Sequence, residues 1–167
     1  MAGVVRAMRP ATTPELTAEA IASAVVGLGG FAGCGVFVFM AEGEVVPLAA
    51  RDRRDQPVLL AGPVPTARAT YLRDRARGGP WIERWSPGLD YPHTAVGAEG
   101  EGRLLAYAPI RIGGAVIGFL VATAVGGNDL DVAERLPGLV ECAALAAPML
   151  GSQLRSRDAA RWRTCSF

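Results

Sequence analysis

The hydrophobic pattern of the chain is strongest over residues 103–123, where two apolar runs meet at Gly113-Gly114. Both runs are rich in β-branched and aromatic residues, which predicts strands near 103–112 and 115–123 joined by a tight turn. Neither run alternates regularly between apolar and polar positions, as is typical of strands that are covered on both faces. The pattern therefore predicts a hairpin at the centre of a sheet.

A second hairpin is predicted nearer the N-terminus. Residues 35–41 (GVFVFMA) are β-branched and aromatic, and a polar turn separates them from residues 45–50 (VVPLAA). Pro47 cannot donate a hydrogen bond to a strand ladder, so we expect the second strand at the sheet edge or at a bulge. A short further strand is expected near residues 81–85.

Two helices are predicted before the central hairpin. The first begins at Thr12 or Thr13, with Pro14 in its first turn, and a run of glycines ends it. Its apolar face carries Ile21, Val25 and Leu28. Thr66 is expected to cap a second, short helix that runs to Arg77.

A long helix is predicted after Asn128-Asp129, which is a plausible helix start. Its apolar residues follow one another in steps of four and three: Leu136, Val140, Ala143, Ala147, Leu150 and Leu154. Pro137 and Pro148 leave the bounds of this helix open, because a proline inside a helix kinks or breaks it.

This order of elements predicts an α+β domain with its terminal helices against one face of the sheet. We expect a flexible segment over residues 1–13, the domain over residues 14–154, and a helical extension or linker over residues 155–167. The chain has 167 residues, of which half are hydrophobic and a fifth charged, so it is long enough to form one compact core.

The charge balance excludes two classes of partner. The net charge is +1, from 17 basic and 16 acidic side chains, so no overall field attracts nucleic acid or an anionic membrane.

Residues 20–41 carry no charge, and a run of this length is sufficient for a membrane span. Five glycines interrupt this run, so we expect a helix, a glycine loop and a strand instead, in a cytoplasmic protein.

The cysteine pattern gives no catalytic or metal site. Cys34, Cys142 and Cys165 lack the paired spacing of a zinc site or a redox motif, which fits a reducing cytoplasm. Cys34 and Cys142 lie in apolar surroundings and are predicted to be buried thiols, whereas Cys165 belongs to the tail.

The chain resembles a GAF domain, a small-molecule sensor module of bacterial and eukaryotic signalling proteins. The resemblance is strongest over residues 105–123 (LAYAPIRIGGAVIGFLVAT), with support from the first hairpin and the last helix. It implies a GAF-like, PAS-related fold, with a central antiparallel sheet of five to six strands. The N- and C-terminal helices would lie on one face, and loops and a short helix would form a pocket on the other.

The resemblance further implies that residues 51–102 form the lid of the ligand pocket. The candidate pocket residues are Phe37, Phe39, Arg73, Trp81, Trp85, Tyr91, His93 and Tyr107. Trp and Tyr suit stacking on a flat ligand, although Trp81 and Trp85 could equally fill a secondary core. Arg73 and Arg77 share a helix face, which suits either an anionic ligand or a solvated surface with Arg–Asp pairs.

Several specialised GAF activities are disfavoured. The chain has no lysine for the nucleotide-binding motif of some relatives, and His93 does not follow a cysteine as in bilin-binding relatives. The cysteines do not match the pattern of the methionine-sulfoxide reductases of this fold. We therefore expect no enzyme activity, no catalytic residue and no metal site, and no cofactor is identified.

The leading hypothesis is a regulatory domain that binds a small molecule, forms a homodimer through its terminal helices, or does both. Family habit links such domains to an output domain absent from this chain, for cyclic-di-GMP turnover or histidine kinase activity. Three alternatives stay open: a haem-binding sensor that uses His93, a small GAF-fold enzyme with Asp90 and His93 as an acid–base pair, and a ligand-free dimerisation module.

Overall fold

The computed structural model describes residues 13–28, 30–59, 64–84, 104–124 and 129–164, with only the backbone of residues 129 and 159–164. The helices and strands of this part of the chain, in order, are α1 (Pro14–Gly27), β1 (Phe31–Phe39), β2 (Val45–Asp52), α2 (Thr66–Gly78), β3 (Trp81–Arg84), β4 (Leu104–Ile112), β5 (Ala115–Ala124) and α3 (Asp129–Thr164).

The strands form one antiparallel sheet in the order β2-β1-β5-β4-β3. The two predicted hairpins therefore lie side by side, joined by the pairing of β1 with β5. Gly113 and Gly114 both have positive φ and form the turn between β4 and β5, as their lack of a Cβ permits. The prediction of a central hairpin is confirmed, because β5 occupies the middle of the sheet.

The prediction for Pro47 is also confirmed. β2 is an edge strand, and its register against β1 shifts between Val36 and Phe37, where Phe37 pairs with Pro47. The irregularity falls at the proline because its ring nitrogen has no hydrogen to donate to the ladder.

The predicted start of β1 was wrong by four residues. β1 begins at Phe31, so Gly33 belongs to the strand and not to a loop, and Gly35 lies inside the strand and not at its first position. A Cβ on Gly35 would lie 2.9 Å from Cε2 of Phe37, so the glycine leaves room for that ring. Residues 20–41 are thus divided between α1 and β1, and within the described ranges no helix is long and apolar enough to cross a membrane.

Helices α1 and α3 pack together on one face of the sheet, which we call the back face. Thr13 caps α1 as predicted, because its hydroxyl oxygen accepts from the N–H of Leu16 at 3.2 Å. Cys34 and Cys142 are buried in the back-face core, as predicted.

Helix α3 runs without a break through both of its prolines. Pro137 and Pro148 are exposed, so each ring lies on the solvent side, where water can hydrogen-bond to the carbonyl that the missing N–H leaves free. At 36 residues the helix is about 54 Å long. The side chains of residues 155–158 are exposed, and the helical backbone continues to residue 164.

Helix α2 covers the opposite face of the sheet, which we call the front face, and buries Ala69, Leu72 and Ala76 there. The predicted helix at this position is confirmed, but the predicted cap is wrong. Thr66 is the first residue of α2, Pro65 occupies the capping position, and no side chain caps this end. A proline there suits the extended backbone before a helix, but it has no oxygen in its side chain to accept from the free N–H groups.

Candidate functional site

Aromatic side chains fill the front face beneath α2. Phe37 stacks on Phe119 with ring centroids 5.2 Å apart, and Trp81 stacks on Tyr107 at 4.3 Å. Phe119 also lies tilted against Tyr107, Trp81 and Phe39, at centroid distances between 5.7 and 6.3 Å. These rings are brought together by register, because residues paired across antiparallel strands point to the same face. The result is a compact aromatic cluster that joins four of the five strands.

Three of the eight predicted pocket residues, Phe37, Trp81 and Tyr107, belong to this buried cluster. This packing agrees with the alternative in which Trp81 fills a secondary core. Two others, Phe39 and Arg73, lie together at one end of the front face, with the Arg73 guanidinium carbon 5.0 Å from the Phe39 ring centroid. The last three are Trp85, Tyr91 and His93, which lie outside the described residues. Ligand contact at all eight positions stays a prediction.

Two uncharged polar groups are buried on or near this aromatic face without a hydrogen-bond partner among the described residues. They are the indole N–H of Trp81, a residue 6% exposed, and the hydroxyl of Thr123, a residue 1% exposed. An unsatisfied buried donor or hydroxyl costs about 1–3 kcal/mol. Both groups therefore keep unused hydrogen-bonding capacity.

Helix α2 is fastened to the sheet by polar contacts as well as by its apolar side. The carboxylate of Glu83 on β3 accepts from the Arg68 guanidinium and, at 2.7 Å, from the Tyr71 hydroxyl. Burial raises the pKa of Tyr71, and the hydrogen bond to Glu83 and its negative charge raise it further. The first half of α2 is thereby tied to the edge strand of the sheet.

A cleft of about 520 Å³ opens at the other end of α2, and we call it the arginine cleft. Three elements meet there: the C-terminal half of α2, the turn after β1, and the turn between β4 and β5. Its walls include Phe39, Met40, Arg73, Arg77, Arg111 and Val116. Among the described residues that line it, none is acidic.

The three arginines of the cleft are held in different ways. Arg73 donates from Nη2 to the carbonyl oxygen of Met40 at 3.2 Å. Arg111 donates from Nη2 to the carbonyl oxygens of Ala76 and Arg77, at 2.8 and 2.9 Å. Arg77 is exposed and pairs with the carboxylate of Asp74 at 2.9 Å, as expected for a solvated helix surface. Arg73 and Arg77 share a face, as the sequence predicted.

Sequence reasoning did not assign a role to Arg111. The available signal was a single charged residue in an otherwise apolar hairpin, beside its glycine turn. Its partners are the last carbonyls of α2, more than thirty residues away along the chain, so no local pattern indicates the contact. A cation at this position stabilises the C-terminus of a helix.

Arg111 is adjacent to a residue that contacts the opposite side of the sheet. Ile112 packs with the back-face core, and a Cβ built on Gly151 of α3 would lie 1.9 Å from Ile112 Cδ1. The end of β4 therefore contacts the C-terminus of α2 through one residue and the middle of α3 through the next. Successive side chains of a strand point to opposite faces, which makes this double contact possible.

No protein-family model matches the chain, and no curated protein matches it. Solved structures do match. The phytochrome photosensory core module of Stigmatella aurantiaca matches 99% of this chain with a TM-score of 0.65 and 16% identity, and this chain spans 38% of that one.

Two further solved structures match over most of both chains. Residues 122 to 287 of a methyl-accepting chemotaxis protein match with a TM-score of 0.62 and 12% identity, over 91% of this chain and 96% of that one. Free methionine-R-sulfoxide reductase from Neisseria meningitidis, in complex with its substrate, matches with a TM-score of 0.62 and 16% identity, over 92% of this chain and 87% of that one. At these identities the likeness concerns the fold. The described sheet, with its terminal helices on the back face and α2 on the front, is a GAF-like α+β fold.

Proposed function

We propose that this chain is a regulatory sensor domain that binds a small molecule on the α2 side of its sheet and passes the change to α3. The observation that carries the proposal is the double contact at the end of β4. Arg111 holds the C-terminus of α2, and Ile112 packs over Gly151 of α3. A displacement of α2 by a ligand therefore reaches α3 through two neighbouring residues of one strand.

The geometry of both helices supports this role. Helix α2 has no side-chain cap at its start, and polar contacts of Arg68, Tyr71 and Arg73 supplement its three buried apolar residues. Elements held in this way open at lower free energy than the central strands. The side chains of residues 155–158 of α3 are exposed, which suits this part of the helix to contact an output domain or a second copy of the chain.

The finer points of the proposal come from the resemblance to GAF domains. We propose that the domain acts by binding and not by catalysis, that it forms a homodimer through its terminal helices in the cytoplasm, and that it controls a linked signalling domain. The photosensory and chemotaxis proteins of similar fold are consistent with a sensory role.

Native mass spectrometry of freshly purified protein tests the binding and dimer claims together, because it reports both the subunit number and any retained small molecule. Amide hydrogen exchange, compared between protein as purified and protein stripped by unfolding and refolding, then tests the transmission. We expect the bound molecule to slow exchange in α2 and in α3 around Gly151.

Ile112→Ala should weaken the response of α3 and leave the response of α2 intact. Ile117→Ala is the matched control, because Ile117 belongs to the same hairpin and also packs against the back-face core. A bare monomer that no metabolite in a thermal-shift screen stabilises would contradict the proposal. Equal responses of α3 in the two variants would contradict the route through Ile112.

A further inference from the structure

We infer that the arginine cleft binds a small molecule through an oxyanion group, either a phosphate or a cluster of carboxylates. The inference rests on the proposed sensing role and names the chemical class of the ligand and its place in the fold. It uses Arg73, Arg77 and Arg111 as the recognising groups.

The first argument is uncompensated charge. Neither Arg73 nor Arg111 forms an ion pair within the described ranges, whereas Arg77 pairs with Asp74 at the rim. Arg73 is half-buried, and its Nε–H is buried without a hydrogen-bond partner among the described residues. A partly desolvated guanidinium with an unused donor favours an anion that supplies the missing acceptor.

The second argument is preorganisation. A backbone carbonyl orients the guanidinium of Arg73, and two carbonyls orient that of Arg111, so both groups are fixed before a ligand arrives. A guanidinium has five donors, and these contacts use only one nitrogen of each side chain. The remaining donors can form the paired contacts that planar carboxylates and phosphates accept.

The neighbouring negative groups do not cancel this charge. The C-terminal carbonyls of α2 carry roughly half a negative charge, which Arg111 offsets by donating hydrogen bonds to the carbonyl oxygens of Ala76 and Arg77. Glu42 and Glu44 lie in the turn after β1 and are exposed, so water and salt screen them. Arg73 keeps its full positive charge at the wall of the cleft.

The cleft also has an apolar wall for the rest of the molecule. Phe39, Met40 and Val116 line it beside the arginines. A volume of about 520 Å³ lies within the range of sites for small organic ligands. The ligand class is therefore a small organic anion and not a bare halide.

Isothermal titration calorimetry at constant ionic strength tests the inference with three probes: inorganic phosphate, pyrophosphate and citrate. We expect saturable binding of at least one probe to the intact chain. Tighter binding of pyrophosphate indicates a phosphate ligand, and tighter binding of citrate indicates a carboxylate ligand. Saturable binding of any of the three probes supports an oxyanion ligand.

Arg73→Gln should weaken this binding roughly 10- to 100-fold, because it removes charge-assisted hydrogen bonds. Arg73→Lys keeps the charge but not the fork, so its affinity should fall between that of Arg73→Gln and the unchanged chain. Arg53→Gln is the matched control, because it removes the same charge from an exposed arginine just after β2. If Arg73→Gln does not fold, Arg77→Gln at the exposed rim should still weaken binding by a few-fold.

Two results overturn the inference: no saturable binding of any probe, or equal losses in Arg73→Gln and Arg53→Gln, which indicate attraction by overall charge. Failure of the inference is distinct from failure of the proposed function. A neutral molecule retained in native mass spectrometry, with no anion binding, keeps the sensor and removes the anion site. Anion binding that leaves exchange in α3 unchanged keeps the site and removes the sensor.

Discussion

Replacing Gly118 with alanine tests the central contact of the fold, the pairing of β1 with β5. Gly118 faces Val38 in the register of the two strands, and a Cβ on Gly118 would lie 2.2 Å from the carbonyl oxygen of Phe37. Carbon and oxygen atoms of neighbouring strands approach to about 3.3 Å, so the strands must separate by roughly 1 Å. The obstructing atom belongs to the backbone, so no side-chain rotation relieves the contact.

The expected cost follows from this separation. A ladder hydrogen bond of about 2.9 Å that lengthens by roughly 1 Å leaves the hydrogen-bonding range. Overpacking costs about 1–3 kcal/mol, and one or two lost ladder bonds cost about 1 kcal/mol each. Gly118→Ala should therefore lower the free energy of unfolding by about 2–5 kcal/mol, a large share of the total for a domain of this size.

Urea unfolding followed by circular dichroism measures this change, and the melting temperature should fall by about 4–20 °C. Gly138→Ala is the matched control, since it makes the same substitution inside α3, where a new Cβ meets no heavy atom within 4 Å. It should stabilise the protein by about 0.5–1 kcal/mol through helix propensity. A Gly118→Ala variant within 1 kcal/mol of the unchanged protein would refute the close pairing of β1 and β5.

Two further predictions concern titrating groups. Burial raises the pKa of Cys34 above its ordinary range, and burial and the charge of Glu141 raise that of Cys142. Iodoacetamide should therefore modify neither thiol until the protein unfolds. Peptide mass spectrometry checks this, and rapid labelling of native Cys34 would contradict its burial. Glu83→Gln should lower the pKa of Tyr71 part of the way towards its ordinary value, because the carboxylate's charge is removed while burial remains; tyrosinate absorbance measured against Tyr71→Phe gives this value. The folded state raises the pKa of Tyr71. The contribution of Tyr71 to the free energy of unfolding is therefore present at pH below the ordinary tyrosine pKa, and it is lost as pH rises through the raised pKa.

Hydrophobic periodicity and turn residues were sufficient to predict the two hairpins and the helices. The apolar runs around Gly113-Gly114 gave the central hairpin, and Pro47 gave an edge strand with an irregular register. These predictions succeeded because strand period, turn chemistry and the missing N–H of proline act within a few residues.

The late predicted start of β1 and the open bounds of α3 have a different origin. Gly33 indicated a loop by local propensity, but its pairing with both neighbouring strands places it in β1. Pro137 and Pro148 left the bounds of α3 open, and the helix continues through both because their rings lie on its exposed side, where water can replace the missing partners. Packing between strands decided the first case, and exposure to solvent decided the second.

The sequence by itself determined the class of the fold, the order of its elements, the burial of Cys34 and Cys142, and the helix face that Arg73 shares with Arg77. Only the tertiary structure decided that Phe37, Trp81 and Tyr107 form one packed cluster, that Arg111 reaches the end of α2, and that Ile112 lies over Gly151. The physical reason is distance along the chain. Periodicity reports which face of an element is apolar, whereas the arginine cleft and the contact with α3 depend on where three separate segments meet.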